Sequence, residues 1–105
     1  MFARFLEMTI KPEKKTELTR KLKEEILPIL RKHKGFLDVI PLEVEAEPTK
    51  FYSISLWHEK QDAEKYETEN FPKIKAMVEP FLTEPIVVKR CTVDETITKK
   101  LVAAA

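Results

Sequence analysis

The stretch of sequence that decides the fold spans residues 26–57 and reads ILPILRKHKGFLDVIPLEVEAEPTKFYSISLW. Basic residues crowd positions 31–34, and Gly35, the only glycine in the chain, follows them. Basic residues in a last turn and a glycine just beyond it are typical of a helix C-terminus. Two apolar runs come next, at residues 36–43 and 51–57, and the polar residues 43–50 with Pro48 separate them. This pattern predicts a helix that ends at Gly35, followed by a β-hairpin.

The residues before this stretch predict a strand and the body of that helix. Residues 1–10 form a strand in which apolar residues recur at even spacing on one face (Phe2, Leu6, Met8, Ile10), while Ala3 and Phe5 lie on the other. From Pro12 to about residue 34, apolar residues recur three or four apart, as on one face of a helix (Leu18, Leu22, Ile26, Ile29, Leu30, His33). Pro28 lies inside that pattern and predicts a kink or tightened last turns.

The residues after the hairpin predict a second helix and a fourth strand. Helical spacing resumes at about Glu59, Pro72 should divide this helix into two shorter ones at an angle, and residues 86–93 read as a strand. The order β-α-β-β-α-β predicts an α+β fold of ferredoxin-like topology, with two helices on one face of a four-stranded antiparallel sheet. Pro41 suggests that the second strand lies at an edge or carries a bulge near its end.

The face of this sheet away from the helices remains apolar. In the third strand Tyr52, Ile54 and Leu56 alternate with a second set on the opposite face (Phe51, Ser53, Ser55, Trp57). Large exposed apolar faces are rare on monomers, so we expect a second copy of the chain to cover this one in a two-fold homodimer. Residues 1–93 form the domain, and residues 94–105 are a tail that is expected to add a strand or helix against the partner or to fray.

Composition excludes several classes of protein. The apolar fraction of 43% and the charged fraction of 35% suit a folded soluble domain, and no apolar run approaches the roughly 20 residues of a membrane span. The residues from 11 to 34 hold nine basic and four acidic side chains, but interleaved aromatics and a nucleic-acid motif are missing. The single cysteine, Cys91, excludes an internal disulfide and, with a poor signal sequence, favours the cytoplasm. We expect neither nucleic acid nor a membrane as partner.

Three groups of residues resemble a known family. They are His33-Lys34-Gly35-Phe36-Leu37, then Ser53-Ile54-Ser55-Leu56-Trp57-His58-Glu59, and then Asp62-Ala63 with Tyr66. With them, residues 1–93 resemble the antibiotic biosynthesis monooxygenases, dimeric α+β barrels that include quinol and heme-degrading monooxygenases. The resemblance implies an aromatic-lined pocket in each subunit, between sheet and helices. It also implies oxidation of a flat polyphenol or quinol by O2 without metal or flavin, through an electron-rich anion of the substrate.

The heme-degrading branch of that family is a poor match. It uses an asparagine on the first strand, a tryptophan on the second helix and a histidine about ten residues further on. The matching positions here hold Phe5 or Arg4, then Tyr66, then Ala76, so the axial ligand of the heme would be missing. No His, Cys or carboxylate cluster has the spacing of a metal site either.

The candidate site residues each carry a structural alternative. The candidate catalytic residues are Trp57, Tyr66 and His58, and the candidate substrate-binding residues are Ser53, Ser55, Asn70, Phe5, Arg4 and Phe71. Trp57 is equally explained as a core aromatic, and Tyr66 is better explained as a residue at the edge of the core whose hydroxyl reaches water. His58 and His33 are the only side chains that titrate near neutrality, and His33 suits a helix-capping role. Arg4 and Asn70 need polar partners if buried, and Cys91 is expected to be a buried, inert thiol.

Three functions follow from these residues. The first is a cofactor-independent monooxygenase acting on a quinol or small polyphenol, and the absence of a convincing base in the sequence counts against it. The second is an isomerase or a small-molecule binding protein of the same fold. The third is a dimeric structural or stress-associated module, which a filled interface between sheet and helices would favour.

Overall fold

The computed structural model describes residues 1–100 and confirms the predicted order of elements. The strands are β1 (Phe2–Thr9), β2 (Phe36–Glu43), β3 (Lys50–Trp57) and β4 (Val87–Thr92). The helices are α1 (Lys15–Lys21), α2 (Leu27–Arg31), α3 (Lys60–Glu69) and α4 (Phe71–Val78), with short 3-10 turns at Pro12–Lys14 and Glu79–Phe81.

The four strands form one antiparallel sheet in the order β2-β3-β1-β4. Phe2 pairs with Trp57 and Met8 with Phe51, so the even-numbered residues of β1 and the odd-numbered residues of β3 share the helix side. Strand β2 is an edge strand, as Pro41 indicates. Its register shift lies between Phe36 and Asp38, at the end opposite to Pro41.

The first helix changes its winding around Pro28. Residues Leu22–Ile26 form a widened π turn between α1 and α2, in which the Leu27 N–H bonds to the Leu22 carbonyl. Because Pro28 has no N–H, the regular ladder cannot continue there, and a wider turn accommodates the loss. The predicted tightening occurs later, where the Lys32 N–H bonds to the Ile29 carbonyl at 3.3 Å. The widened turn itself was not predicted.

Gly35 ends this helix as predicted. Its φ of 80° is the only positive φ in the part of the chain that the structure describes. A Cβ at this position would also collide with the side chain of Asp62. The Gly35 carbonyl accepts the His58 N–H at 2.7 Å, so the glycine joins the helix end to the end of β3.

The second helix is divided as predicted, at Asn70. The Asn70 N–H bonds to the Tyr66 carbonyl and closes α3, while its own carbonyl accepts the Ile74 N–H and opens α4, both at 3.0 Å. Pro72 lies in the first turn of α4, where its missing N–H breaks no helical hydrogen bond.

The core lies between the sheet and the helices. It includes the fully buried Trp57 at the end of β3, and its other members come from every layer (Phe2, Met8, Leu18, Ile26, Leu30, Phe51, Tyr66, Ile74, Val78). On the open face of the sheet, Phe5 packs against Tyr52 with ring centres 5.3 Å apart. Ile40, Leu42 and Val87 on the same face remain exposed. We call this surface the open sheet face.

One expectation for the last part of the chain needs correction, and another concerns residues that partly lie outside the described range. Cys91 is exposed rather than buried, because it lies on the edge strand β4, in which every residue is exposed. Residues 94–98 begin the tail as a turn in which the Asp94 side chain accepts the Thr96 N–H at 3.0 Å. The predicted helix or strand of the tail reaches into residues 101–105, which lie outside the described residues.

Candidate functional site

A cavity of about 440 Å³ lies between the sheet and the helices. Its floor is formed by helix-side residues of β1 and β3 (Arg4, Leu6, Met8, Phe51, Ser53, Ser55). Its walls come from the first helix and from α3 and α4 (Leu22, Ile26, Leu27, Leu30, Tyr66, Phe71, Ile74, Val78). A volume of several hundred Å³ with mainly apolar walls and a few polar groups is typical of small-molecule sites.

The mouth of the cavity lies between the first helix and the edge strand β2. The exposed lining residues are Thr19 and Lys23 on the helix and Pro41 and Glu43 on the strand. Two polar lining residues away from this mouth, Arg4 and Tyr66, are each only 2% exposed. A ligand would therefore enter beside β2 and meet the polar groups at the inner end.

Arg4 places a buried positive charge at that inner end. Its Nε donates to Glu67 Oε2 at 3.1 Å. The guanidinium carbon lies 4.3 Å from the ring centre of Phe71 and 5.1 Å from that of Tyr66, within cation–π range. Its terminal nitrogen Nη2 is buried and has no hydrogen-bond partner. Arg4 thus has a partner through Nε, as its burial requires, but keeps an unused donor.

Tyr66 stands beside Arg4 on α3. Its ring packs on Trp57 at 5.1 Å, on His33 at 5.2 Å and on Phe71 at 6.1 Å. Burial raises the pKa of Tyr66 to about 12, while the Arg4 guanidinium opposes this shift and Glu67 adds to it. A phenol with this pKa is protonated at neutral pH, so it can donate a hydrogen bond to a ligand but is a poor base.

Trp57 lies behind the cavity rather than in its wall. It is fully buried, and its indole N–H donates to Ser55 Oγ at 3.0 Å. Phe36 and His33 pack edge-on against it at 5.4 and 6.3 Å. In this arrangement the indole N–H is already used inside the protein, and Ser55, not Trp57, faces the cavity.

Asn70 and His33 form a pair next to this aromatic cluster. The Asn70 amide Nδ2 is hydrogen-bonded to His33 Nε2. Both residues line a shallow surface depression beside α2 and α3, outside the cavity. The polar partner that Asn70 needs is therefore His33, and the pair supports the ring of Tyr66 from behind.

The structure brings five of the nine candidate residues together around the cavity (Arg4, Ser53, Ser55, Tyr66, Phe71). Trp57 and Asn70 lie directly behind them. His58 is exposed at the end of β3 and contacts Glu59 at 3.3 Å, away from the cavity. Phe5 lies on the open sheet face, because its odd position in β1 turns it away from the helices.

Two further residues lie beside the site, and of these Glu67 was not predicted. Glu67 contacts Arg4 across 63 positions of sequence, and spacing along a chain does not reveal a contact between a strand and a distant helix. His33 lies on the predicted apolar stripe of the first helix, and this position on the stripe already indicated that it faces the core, where Tyr66 lies.

Among residues 1–100, no three His, Cys, Asp or Glu side chains come together in a way that could hold a metal ion. None of the helices in this range combines the length and apolarity needed to cross a bilayer.

Known structures share this fold. A putative antibiotic biosynthesis monooxygenase from Nitrosomonas europaea superimposes with a TM-score of 0.72 at 18% identity, covering 90% of this chain and 99% of that one. Another from Bordetella bronchiseptica gives a TM-score of 0.74 at 12% identity, covering 88% and 95%. A monooxygenase from Streptomyces coelicolor, solved in complex with the ligand nanaomycin D, gives 0.73 at 14% identity, covering 88% and 86%.

Sequence comparison gives the family. No curated protein sequence matches the chain. Residues 1–79 match the family model of the antibiotic biosynthesis monooxygenases. That match covers most of the chain, including the strands, helices and loops that form the floor and walls of the cavity. The chain therefore belongs to the antibiotic biosynthesis monooxygenase family.

Proposed function

We propose that this protein is a cofactor-independent monooxygenase that oxidises a quinol or small polyphenolic aromatic with O2. The observation that supports this most is the cavity of about 440 Å³, apolar in most of its wall, with Arg4 and Tyr66 at its inner end. Such a cavity has room for a flat aromatic ring, and its polar groups suit a phenolic oxygen. The solved complex of a fold relative with nanaomycin D adds that this fold accepts a small-molecule ligand in at least one protein.

The chemistry that we propose begins with ionisation of the substrate. A fixed positive charge lowers the pKa of a nearby phenol, so Arg4 favours the phenolate, and Tyr66 donates a hydrogen bond to its oxygen. In a phenol whose para position is free, the electron-rich ring then gives electrons to O2 and forms a C–O bond at that para carbon. The O–O bond breaks, one oxygen atom stays in the product as the second quinone carbonyl, and the other leaves as water with the hydrogen of the para carbon and the proton that the hydroxyl gave up. Because the pKa of Tyr66 is about 12, we assign the first proton to water and not to Tyr66.

The functional unit that we propose is a homodimer formed through the open sheet face. Exposed apolar side chains on this face (Ile40, Leu42, Val87) surround the half-buried Phe5, Tyr52 and Ile54. A face of this kind is rarely left to water, and an identical face is a self-complementary cover. We also propose that the protein works in the cytoplasm, where its free Cys91 would stay reduced.

One observation favours the second candidate, an isomerase or a binding protein. Among residues 1–100 the one carboxylate that lines the cavity, Glu43, is exposed at the mouth, so the inner end has no side-chain base. A binding protein needs no base, and its ligand would remain unchanged by O2. The open cavity does not support the third candidate, a structural module with a filled interface.

Oxygen uptake tests the proposal and separates it from the alternative. Purified protein is assayed with a panel of hydroquinones and anthrone-like phenols, against Tyr66→Phe and Tyr52→Phe. Tyr52 is a matched control because it is the only other tyrosine and lies on the open sheet face. We expect the wild-type protein to take up oxygen faster than autoxidation does. This enzymatic uptake should fall at least about tenfold in Tyr66→Phe, because that variant loses one hydrogen bond to a charged oxygen. It should stay near the wild-type rate in Tyr52→Phe. Uptake that never exceeds autoxidation in a folded dimer, or that falls equally in both variants, would contradict the proposal.

A further inference from the structure

Arg4 lines the cavity, and its guanidinium keeps one donor nitrogen that no other group uses. Arg4 is 2% exposed and lines the cavity, yet only the Nε edge has a carboxylate partner, Glu67. The terminal Nη2 is fully buried and has no hydrogen-bond partner. A buried charged donor without a partner is costly and rare in proteins. A group that is absent from the free protein would relieve this cost by accepting from Nη2.

The carboxylate that faces Arg4 is shared with a second arginine. Glu67 Oε2 lies 3.1 Å from Arg4 Nε, and Glu67 Oε1 lies 3.2 Å from Arg90 Nε. Arg90 also approaches Glu64 at 3.5 Å, but both of these side chains are exposed, so water screens that pair. Glu67 is partly exposed and divides its two oxygens between two guanidinium groups, so it leaves the charge of the buried Arg4 incompletely neutralised. This remaining positive charge at the inner end of the cavity favours a negatively charged ligand.

The surroundings of Arg4 specify the rest of the ligand. Phe71 and Tyr66 lie over the guanidinium at 4.3 and 5.1 Å, and the lining contributed by the helices is otherwise mainly apolar, whereas Ser55 pairs with Arg4 in the floor. An arginine edge with free N–H groups matches a carboxylate, whose two oxygens accept parallel hydrogen bonds. Aromatic and aliphatic walls match a flat apolar ring. The other charged residues of the lining, Lys23 and Glu43, are both exposed at the mouth and have opposite signs.

We propose that the ligand of this cavity is an aromatic carboxylate, held with its carboxylate on the Nη2 side of Arg4 and its ring system toward the mouth. This proposal names the substrate class of the proposed function. It rests on that function only for the expectation that the ligand is aromatic. The substrate would then be a phenol or quinol whose carboxylate lies next to the phenolic oxygen, so that Arg4 meets both groups and Tyr66 donates to the phenolic oxygen.

Calorimetric titration without oxygen tests this at neutral pH with two probes of the same shape, 2-naphthoate and its neutral amide, 2-naphthamide. We expect wild type to bind the naphthoate at least about tenfold more tightly, as is usual for a hydrogen bond to a charged group. Arg4→Met keeps the length of the side chain and should bring the ratio of the two affinities to about one. Arg4→Lys should keep part of the preference, because it keeps the charge.

Glu67→Gln provides an independent arm, since it leaves Arg4 in place. Removing the carboxylate increases this remaining positive charge, so the preference for naphthoate should rise above that of wild type. Equal affinity for the two probes, no binding of either, or a preference that survives Arg4→Met would overturn the proposal. Because no turnover is measured, a wild-type preference for naphthoate together with no oxygen uptake would contradict the oxygenase and leave this inference standing.

Discussion

The indole nitrogen of Trp57 donates a hydrogen bond of 3.0 Å to Oγ of Ser55, two residues earlier on the same face of β3. Trp57 is fully buried and Ser55 is 6% exposed, so water cannot replace either partner. The bond fixes the tryptophan that supports Tyr66 and directs Ser55 toward the cavity. Trp57 therefore acts on the cavity from behind it.

Ser55→Ala should destabilise the protein because it leaves the buried indole N–H without an acceptor. A buried polar group without its partner costs about 1–3 kcal/mol, and urea denaturation measures that loss. Ser53→Ala is the matched control, since Ser53 also lines the cavity on β3 but is less buried. Equal losses of unfolding free energy in the two variants would show that the Trp57 hydrogen bond adds nothing.

Substitution of Gly35 should be harmful for two separable reasons. Its positive φ costs a residue with a Cβ about 1–2 kcal/mol, and the Cβ would also meet the side chain of Asp62. Asparagine tolerates positive φ better than alanine does. We expect Gly35→Asn and Gly35→Ala both to lower the thermal stability substantially, because the collision is common to both. Near-wild-type stability of Gly35→Asn would mean that only the backbone conformation matters.

The raised pKa of Tyr66 makes stability depend on alkaline pH. Between its ordinary value of 10 and about 12, the phenol is protonated in the folded chain and ionised in the unfolded chain. The unfolded state binds fewer protons in this window, so this group's contribution is complete below pH 10 and is lost as the pH rises to 12, at about 1.4 kcal/mol per pH unit. Tyrosinate absorbance of wild type minus Tyr66→Phe reports the titration directly. A midpoint near 10 in that difference would contradict the buried position of Tyr66.

The open sheet face should hold the dimer together. Ile54→Asp places a charge at the centre of this face without entering the core on the helix side. Burying an isoleucine contributes about 1.5–3 kcal/mol, and a two-fold interface loses it twice, so the dimer should weaken on the order of a hundredfold or more. Sedimentation equilibrium measures the change. Ala76→Asp on the exposed side of α4 is the control, and equal weakening by both would place the interface elsewhere.

Local rules predicted most of the fold. Each of three local signals predicts the structure around it: the alternation in β1 and β3, the only glycine at the end of a helix, and one proline inside each of the two predicted helices. All three agree with one topology. The widened turn before Pro28 escaped prediction because a proline can be accommodated in several ways. Cys91 was expected to be buried because cysteines usually are, but its strand lies at the edge of the sheet.

The site was less predictable than the fold. Even and odd positions of β1 decide that Arg4 faces the cavity and Phe5 the open sheet face, and the prediction named both because the register was undecided. His58 follows the last residue of β3, where alternation no longer fixes the direction of a side chain. The contact of Arg4 with Glu67 joins residues 63 positions apart, so only the folded chain reveals it.

Isotope labelling of the product tests the central claim most directly. A phenol with a free para position is converted under ¹⁸O₂, and the quinone product is examined by mass spectrometry. The proposed reaction predicts one labelled oxygen atom in each product molecule, with formation slowed strongly by Ser53→Phe, which fills the cavity, and not by Thr68→Phe on the exposed side of α3. A product without label, or a labelled product that forms equally well in Ser53→Phe, would contradict oxygenation in this cavity.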